Sequence, residues 1–144
     1  ETIRALSEAG IEVTVMTAPI IPGLNDHEIE HLLEAAADHG ATRAGYVLLR
    51  LPYDIKDLFH EWLVQHVPDR AARVINLVRE MRGGRDYDAN WHERMRGGGP
   101  VADLISKRFG RAAARLDMNA PRGPLRTDLF RVVEDKGGQF RLDV

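Results

Sequence analysis

Two histidines have the spacing of a zinc-protease motif. His27 and His31 stand in the order H-E-x-x-H, in which two imidazoles bind Zn²⁺ beside a glutamate that activates water. The apolar stripe of the predicted helix is centred on Ile29 and Leu33, so both histidines should point to the opposite face. The extended motif also needs a glycine at the position of Glu34. We therefore predict a solvated acidic face here, without a metal site.

An Arg/Gly-rich segment at residues 82–99 contains a second set of chemically useful residues. Arginines, backbone N–H groups freed by glycine, and aromatic faces are the parts that bind phosphates and unstacked bases. The alternative is a loop whose arginines and aspartates pair with each other. The residues predicted to bind substrate are Arg82, Arg85, Tyr87, Arg94 and Arg96.

Arg50 gives a separate signal because it follows a nearly continuous apolar run at residues 44–51. A charge at the end of a buried strand is costly unless it meets a partner or a ligand. We add Arg50 to the predicted substrate-binding residues, and a structural salt bridge is the alternative.

A stiff loop follows the first predicted strand, in the segment T-A-P-I-I-P-G-L-N-D at residues 17–26. Pro19 and Pro22 fix the backbone, and Gly23 permits a positive φ or a close approach by another group. Asn25 or Asp26 can then cap the next helix. Such loops at the carboxyl ends of strands are where α/β proteins bind ligands, although a plain rigid turn would use the same residues.

The elements that must position these residues form an α/β pattern. A helix between two apolar runs predicts a βαβ unit with parallel strands. Later helices follow from 3.6-residue periodicity, and a linker and a hairpin are predicted in the tail. The predicted strands cover residues 11–17 and 44–51; the helices cover residues 26–39, 55–67, 70–81 and 101–116; the linker covers 119–127 and the hairpin 129–144.

Composition and charge narrow the function classes. The 144 residues contain no cysteine, which excludes disulfides and thiolate-bound metals within this chain. No apolar run approaches the length of a membrane span, so no membrane partner is expected. The net charge of −2 divides into −8 for residues 1–69 and +6 for residues 70–144, which favours an anionic partner for the second half. Without an initiator methionine, the chain looks like a piece of a longer protein.

The two segments at residues 19–26 and 45–52 resemble the later strands of radical S-adenosylmethionine enzymes. The Arg/Gly stretch at residues 82–97 resembles the corresponding segment of one bacterial branch of this family. That branch is related to spore photoproduct lyase and is often labelled DNA-repair photolyase. The resemblance covers about residues 1–115. It implies an α/β fold in which residues 1–118 form the last two parallel strands and closing helices of a partial (β/α)6 barrel, with a tail at residues 119–144.

The resemblance also implies a nucleotide site. Ile21 and Gly23 would line the adenine of S-adenosylmethionine, and Leu49 and Leu51 would border it. The sequence departs from the family pattern at two positions, with Pro19 in place of glycine and Asp26 in place of glutamate.

The family holds a 4Fe–4S cluster on three cysteines near its first strand, and this chain has none. We therefore expect a cytoplasmic enzyme that acts on nucleic acid, of which this chain is the carboxyl-terminal portion and is inactive alone. Its partner would be the missing amino-terminal part of the barrel. The alternative is a non-catalytic α/β module that binds nucleic acid or another anion through its Arg/Gly-rich half.

Overall fold

The computed structural model describes residues 1–87, 95–121 and 127–129. Most of the predicted linker, and all of the predicted hairpin except its first residue, lie outside these residues. The elements, in chain order, are α1 (Thr2–Glu8), β1 (Thr14–Ile20), a 3-10 turn (Asp26–Glu28), α2 (Ile29–Asp38), β2 (Arg43–Leu48), α3 (Ile55–His66), α4 (Pro68–Glu80), α5 (Gly99–Arg115) and a second 3-10 turn (Thr127–Leu129).

The two strands pair in parallel, as predicted, from Thr14 opposite Arg43 to Ile20 opposite Leu48. The α/β class is confirmed. The prediction for β1, residues 11–17, begins and ends three residues too early, because residues 18–20 were assigned to the stiff loop and the structure includes them, with Pro19, in the strand. Proline is tolerated in a strand where its missing N–H is not needed for the ladder, and the register is irregular between Thr17 and Ile20.

The core has two apolar clusters. In the first, α2 and α5 cover one face of the sheet, where the ring centroids of Tyr46 and Phe109 are 4.7 Å apart. The second cluster joins α3 and α4 to the segments that follow the strands. Its buried members are Leu49, Leu51, Leu63, Ala71, Val74, Ile75 and Val78, with Ile21, Leu24, Phe59 and Val67 packed against them.

The other face of the sheet is more open. Met16 lies on it, opposite Gly45, and is 57% exposed. Within the described residues, β1 also has no strand on its second edge. Beside this strand is a cavity of about 500 Å³ with apolar residues of α1, β1 and α2 in its wall. Parallel sheets are normally covered on both faces, so this surface is suited to packing.

Ion pairs connect α2 to α5. Arg108 Nε and Nη2 donate to the two carboxylate oxygens of Glu30, over 3.0 and 2.7 Å, and Arg108 Nη1 reaches Asp26 at 3.4 Å. Arg115 makes a similar pair with Glu34. The hydrogen bond from Arg108 is the main reason why the pKa of Glu30 lies below its ordinary value of 4.5.

The ion pair between Arg108 and Glu30 should stabilise the fold only at pH values at which Glu30 is ionised. Because the folded-state pKa of Glu30 is lowered, its contribution is complete above about pH 4.5 and is lost as the pH falls through the folded value. We expect Arg108→Met to lower the free energy of unfolding by about 1 kcal/mol at pH 7. In urea titrations this deficit should shrink toward pH 3. Arg111→Met, also on α5, is the control. If the deficit of Arg108→Met is equal at pH 7 and pH 3, the prediction is contradicted.

None of the helices in the described part of the chain combines the length and the apolar character needed to cross a membrane.

Candidate functional site

The loop after β1 is held by its own side chains. Asn25 Oδ1 accepts a hydrogen bond from the Ile21 N–H at 2.7 Å, and Asn25 Nδ2 donates to the Pro19 carbonyl at 3.1 Å. Asp26 Oδ1 accepts from the Gly23 N–H at 2.8 Å. The prediction that one of these side chains caps the helix is wrong, because both are used inside the loop. The stiffness predicted from the prolines is thereby reinforced.

Gly23 has the positive φ that the sequence suggested, at +73°. A Cβ at this position would lie 3.0 Å from Leu77 Cδ1 on α4. The group that approaches the Gly23 backbone closely is therefore a side chain of α4.

Three of the four residues predicted to surround adenine meet in the second apolar cluster. Ile21 is half-buried, whereas Leu49 and Leu51 are 8% and 1% exposed. The Leu49 N–H donates to the Ile20 carbonyl, and its own carbonyl accepts from Arg82 Nη2, both over 2.9 Å. Packing brings the three residues together, and the backbone N–H and carbonyl of Leu49 are already hydrogen-bonded within the chain. Their contact with a nucleotide stays a prediction.

The described parts of the Arg/Gly segment reach the carboxyl end of β2 through Arg82, Met95 and Gly97. The Leu48 N–H donates to the Met95 carbonyl at 2.9 Å, and a Cβ at Gly97 would contact both Met81 and Leu48. Arg82 is only 2% exposed, so it lies in the interior beside Leu49. The ligand site of a parallel α/β protein is normally built at this end of its strands.

The other predicted substrate residues are placed differently from Arg82. Arg85 and Arg96 are exposed, and Tyr87 is half-buried. Arg94 lies outside the described residues. Arg50 joins the group, since its Nη2 donates to Tyr87 Oη at 3.4 Å and its Nη1 lies 3.7 Å from Met95 Sδ. Arg50 and Tyr87 are thus brought together from positions 37 residues apart.

The sequence did not predict a cluster at the base of this segment. Arg79 Nε and Nη2 donate to the two oxygens of Asp86 over 2.6 and 3.3 Å, and His60 Nε2 lies 3.8 Å from the same carboxylate. The Arg79 hydrogen bond lowers the pKa of Asp86. The only sequence signal was an acidic residue just beyond the Gly-Gly turn. The cluster fixes the start of the segment to α3 and α4.

The histidine pair faces outward, as the helical stripe predicted. The side chains of His27 and His31 are 69% and 87% exposed, and each lies near a neighbouring glutamate. Among the residues that the structure describes, no three histidine, aspartate or glutamate side chains form a metal-binding group.

Three proteins described as uncharacterized, one from Mycobacterium bovis and two from strains of Mycobacterium tuberculosis, are similar to this chain. Each is 32% identical over 107 residues, which cover 73% of the chain and 30% of the relative. The matched part of the chain thus spans about a third of the length of these curated relatives. No family model and no solved structure matches the chain.

Proposed function

We propose that this chain is the carboxyl-terminal portion of a cytoplasmic radical S-adenosylmethionine enzyme, from the branch related to spore photoproduct lyase. It would supply the last two strands and the closing helices of a partial (β/α)6 barrel. One observation carries the proposal: a parallel β1–α2–β2 unit places a rigid Pro/Gly loop and an Arg/Gly segment beside its strand ends. That is the rim at which β/α barrels build their active sites.

The open face of the sheet supports the same proposal. Met16 is exposed there, and β1 has no second neighbour in the described part of the chain. The relatives are about three times as long as the matched segment. The amino-terminal part of the barrel would pair with β1 and would cover this face.

The cofactors fit the chain unequally. The chain has no cysteine, so it supplies no thiolate ligand for a 4Fe–4S cluster, and three cysteines would have to precede it in the full-length protein. For S-adenosylmethionine, the residues present offer an apolar wall at Ile21 beside Gly23. The N–H groups of both residues are already hydrogen-bonded within the loop. The polar contacts to the nucleotide would therefore come mostly from elsewhere in the protein.

The test uses the full-length protein, reconstituted with iron and sulfide without oxygen. We expect the absorption of a 4Fe–4S cluster and, after reduction, its electron paramagnetic resonance signal and release of 5′-deoxyadenosine from S-adenosylmethionine. The control replaces the three predicted cysteines with alanine. A full-length sequence without a cysteine triad, or a reconstituted protein that forms no 5′-deoxyadenosine, would overturn the proposal.

A second function is favoured by the charge distribution: a non-catalytic module that binds nucleic acid. Residues 70–144 carry a charge of +6, and the side chains of Arg85 and Arg96 are exposed. Full-length relatives with no cysteines would favour this function, because the enzyme needs them. Nucleic acid is also the substrate class that we propose for the enzyme.

Salt dependence tests nucleic-acid binding in either case. Each phosphate contact releases condensed counterions, so affinity for a single-stranded oligonucleotide should fall as salt rises. Replacing Arg85 and Arg94 together with alanine should reduce the slope of log affinity against log salt by about one to two. Arg4→Ala on α1 is the control. If the wild-type chain binds no oligonucleotide at low salt, nucleic acid is not the ligand.

A further inference from the structure

Arg50 has poor hydrogen-bond acceptors for a half-buried cation. Its Nε is buried and has no acceptor among the described residues. Its Nη1 faces the thioether of Met95 at 3.7 Å, and its Nη2 makes a long hydrogen bond of 3.4 Å to Tyr87 Oη. A guanidinium carries five donors, and sulfur is a weak acceptor. The cation has therefore lost part of its hydration without gaining a strong partner among the described residues, which is costly.

Four other arginines in the described residues each have a carboxylate partner. Arg79 and Arg108 reach carboxylates at 2.6 and 2.7 Å, and Arg43 has Glu12 at 3.9 Å. Arg115 pairs with Glu34. The fold thus provides an anion for these four cations, whereas Arg50 has no carboxylate among the described residues.

The surroundings of Arg50 keep this position fixed and positively charged. Its neighbours Leu49 and Leu51 are buried in the second apolar cluster, and Arg82 Nη2 holds the Leu49 carbonyl at 2.9 Å. Asp86 precedes Tyr87, but both of its oxygens accept hydrogen bonds from Arg79. Two guanidinium groups therefore lie next to one strand end, and the nearby carboxylate is already neutralised.

We propose that Arg50 and Tyr87 bind one oxyanion, a phosphate or a carboxylate group of the substrate. A guanidinium fork matches both groups because it can donate two parallel hydrogen bonds. Tyr87 Oη accepts from Arg50, so its own hydrogen is available for the same anion. The inference rests on the proposed function in one respect, because it takes the anion to belong to the substrate of that site.

The test measures thermal unfolding of the full chain with inorganic phosphate or acetate, at constant ionic strength set by sodium chloride. At about ten times its Kd, the better of the two anions should raise the Tm of the wild type by about 3–6 °C. Arg111→Met, the control on α5, should show the same rise. Arg50→Met should show none. Without anion, it should melt at or above the wild-type temperature, because the removed charge has no strong partner in the part of the chain that the structure describes.

Tyr87→Phe gives a second measurement, in which the Arg50 side chain is retained. It keeps the ring and should weaken the affinity for the same anion at least about threefold, the loss of one hydrogen bond. The inference is overturned if the anion-induced rise survives in Arg50→Met, or if neither anion stabilises the wild type. A marked fall in the Tm of Arg50→Met without anion would also overturn it, since Arg50 would then be structural.

Two further comparisons identify the source of the anion and separate this inference from the proposed function. If Arg50→Met lowers the affinities for inorganic phosphate and for a single-stranded oligonucleotide by similar factors, the anion is a nucleic-acid phosphate. If only the affinity for phosphate or acetate falls, the anion belongs to a small molecule. A full-length protein that releases 5′-deoxyadenosine but binds neither anion contradicts only the Arg50 inference. If the chain binds an anion through Arg50 but the full-length protein releases no 5′-deoxyadenosine, only the proposal of a radical S-adenosylmethionine enzyme is contradicted.

Discussion

Replacing Gly23 with valine is expected to lower the free energy of unfolding by about 2–4 kcal/mol. Left-handed backbone costs a residue with a Cβ about 1–2 kcal/mol, and φ here is +73°. The new side chain would also press on Leu77 Cδ1, which lies 3.0 Å from the Cβ position, and such overpacking costs about 1–3 kcal/mol. Urea unfolding of the purified variant measures the sum.

Gly110 provides the matched control. It lies inside α5, and a Cβ there would meet no atom within 4 Å. Gly110→Ala should therefore stabilise the protein by about 0.5–1 kcal/mol through helix propensity. If Gly23→Val leaves stability unchanged but abolishes cofactor binding in the full-length protein, Gly23 is kept for the ligand and the packing explanation is wrong.

The sequence predicted the elements whose signal is local. The helices α3, α4 and α5 begin and end within about two residues of their predicted limits, because each has 3.6-residue periodicity and ends at Gly, Pro or a polar turn. The parallel pairing followed from the order of strand, helix and strand. The error in β1 came from assigning Pro19 to the loop after the strand, although a strand tolerates proline where no ladder hydrogen bond is lost.

Long-range contacts at the site could not be predicted in the same way. The contact between Arg50 and Tyr87 depends on where α4 ends and on the direction of the turn that follows it. The Arg/Gly run predicts substrate binding for Arg82, whereas the turn after α4 places its side chain beside the Leu49 carbonyl. Asn25 and Asp26 have oxygens that can bond forward to a helix or back to a loop, and composition does not distinguish the two.

The open face of the sheet yields the prediction that separates a partial barrel from an independent module. Met16 is 57% exposed in this chain, so Met16→Arg should change its free energy of unfolding by no more than about 0.5 kcal/mol. In a complete barrel the same position would lie against the earlier strands. A new charge buried there without a partner should lower the stability of the full-length protein by about 3 kcal/mol or more.

Leu104 on α5 is the matched control for Met16, because it is 59% exposed and lies on a helix of the closing layer. Leu104→Arg should be nearly neutral in both the 144-residue chain and the full-length protein, since the outer face of a closing helix stays in water. Urea unfolding of both variants at both lengths gives four values. Only Met16→Arg in the full-length protein should differ from the wild type by more than about 1 kcal/mol.

If that variant is as stable as the Leu104 control, the sheet face remains open in the full-length protein. The partial barrel would then have to be abandoned in favour of the nucleic-acid-binding module.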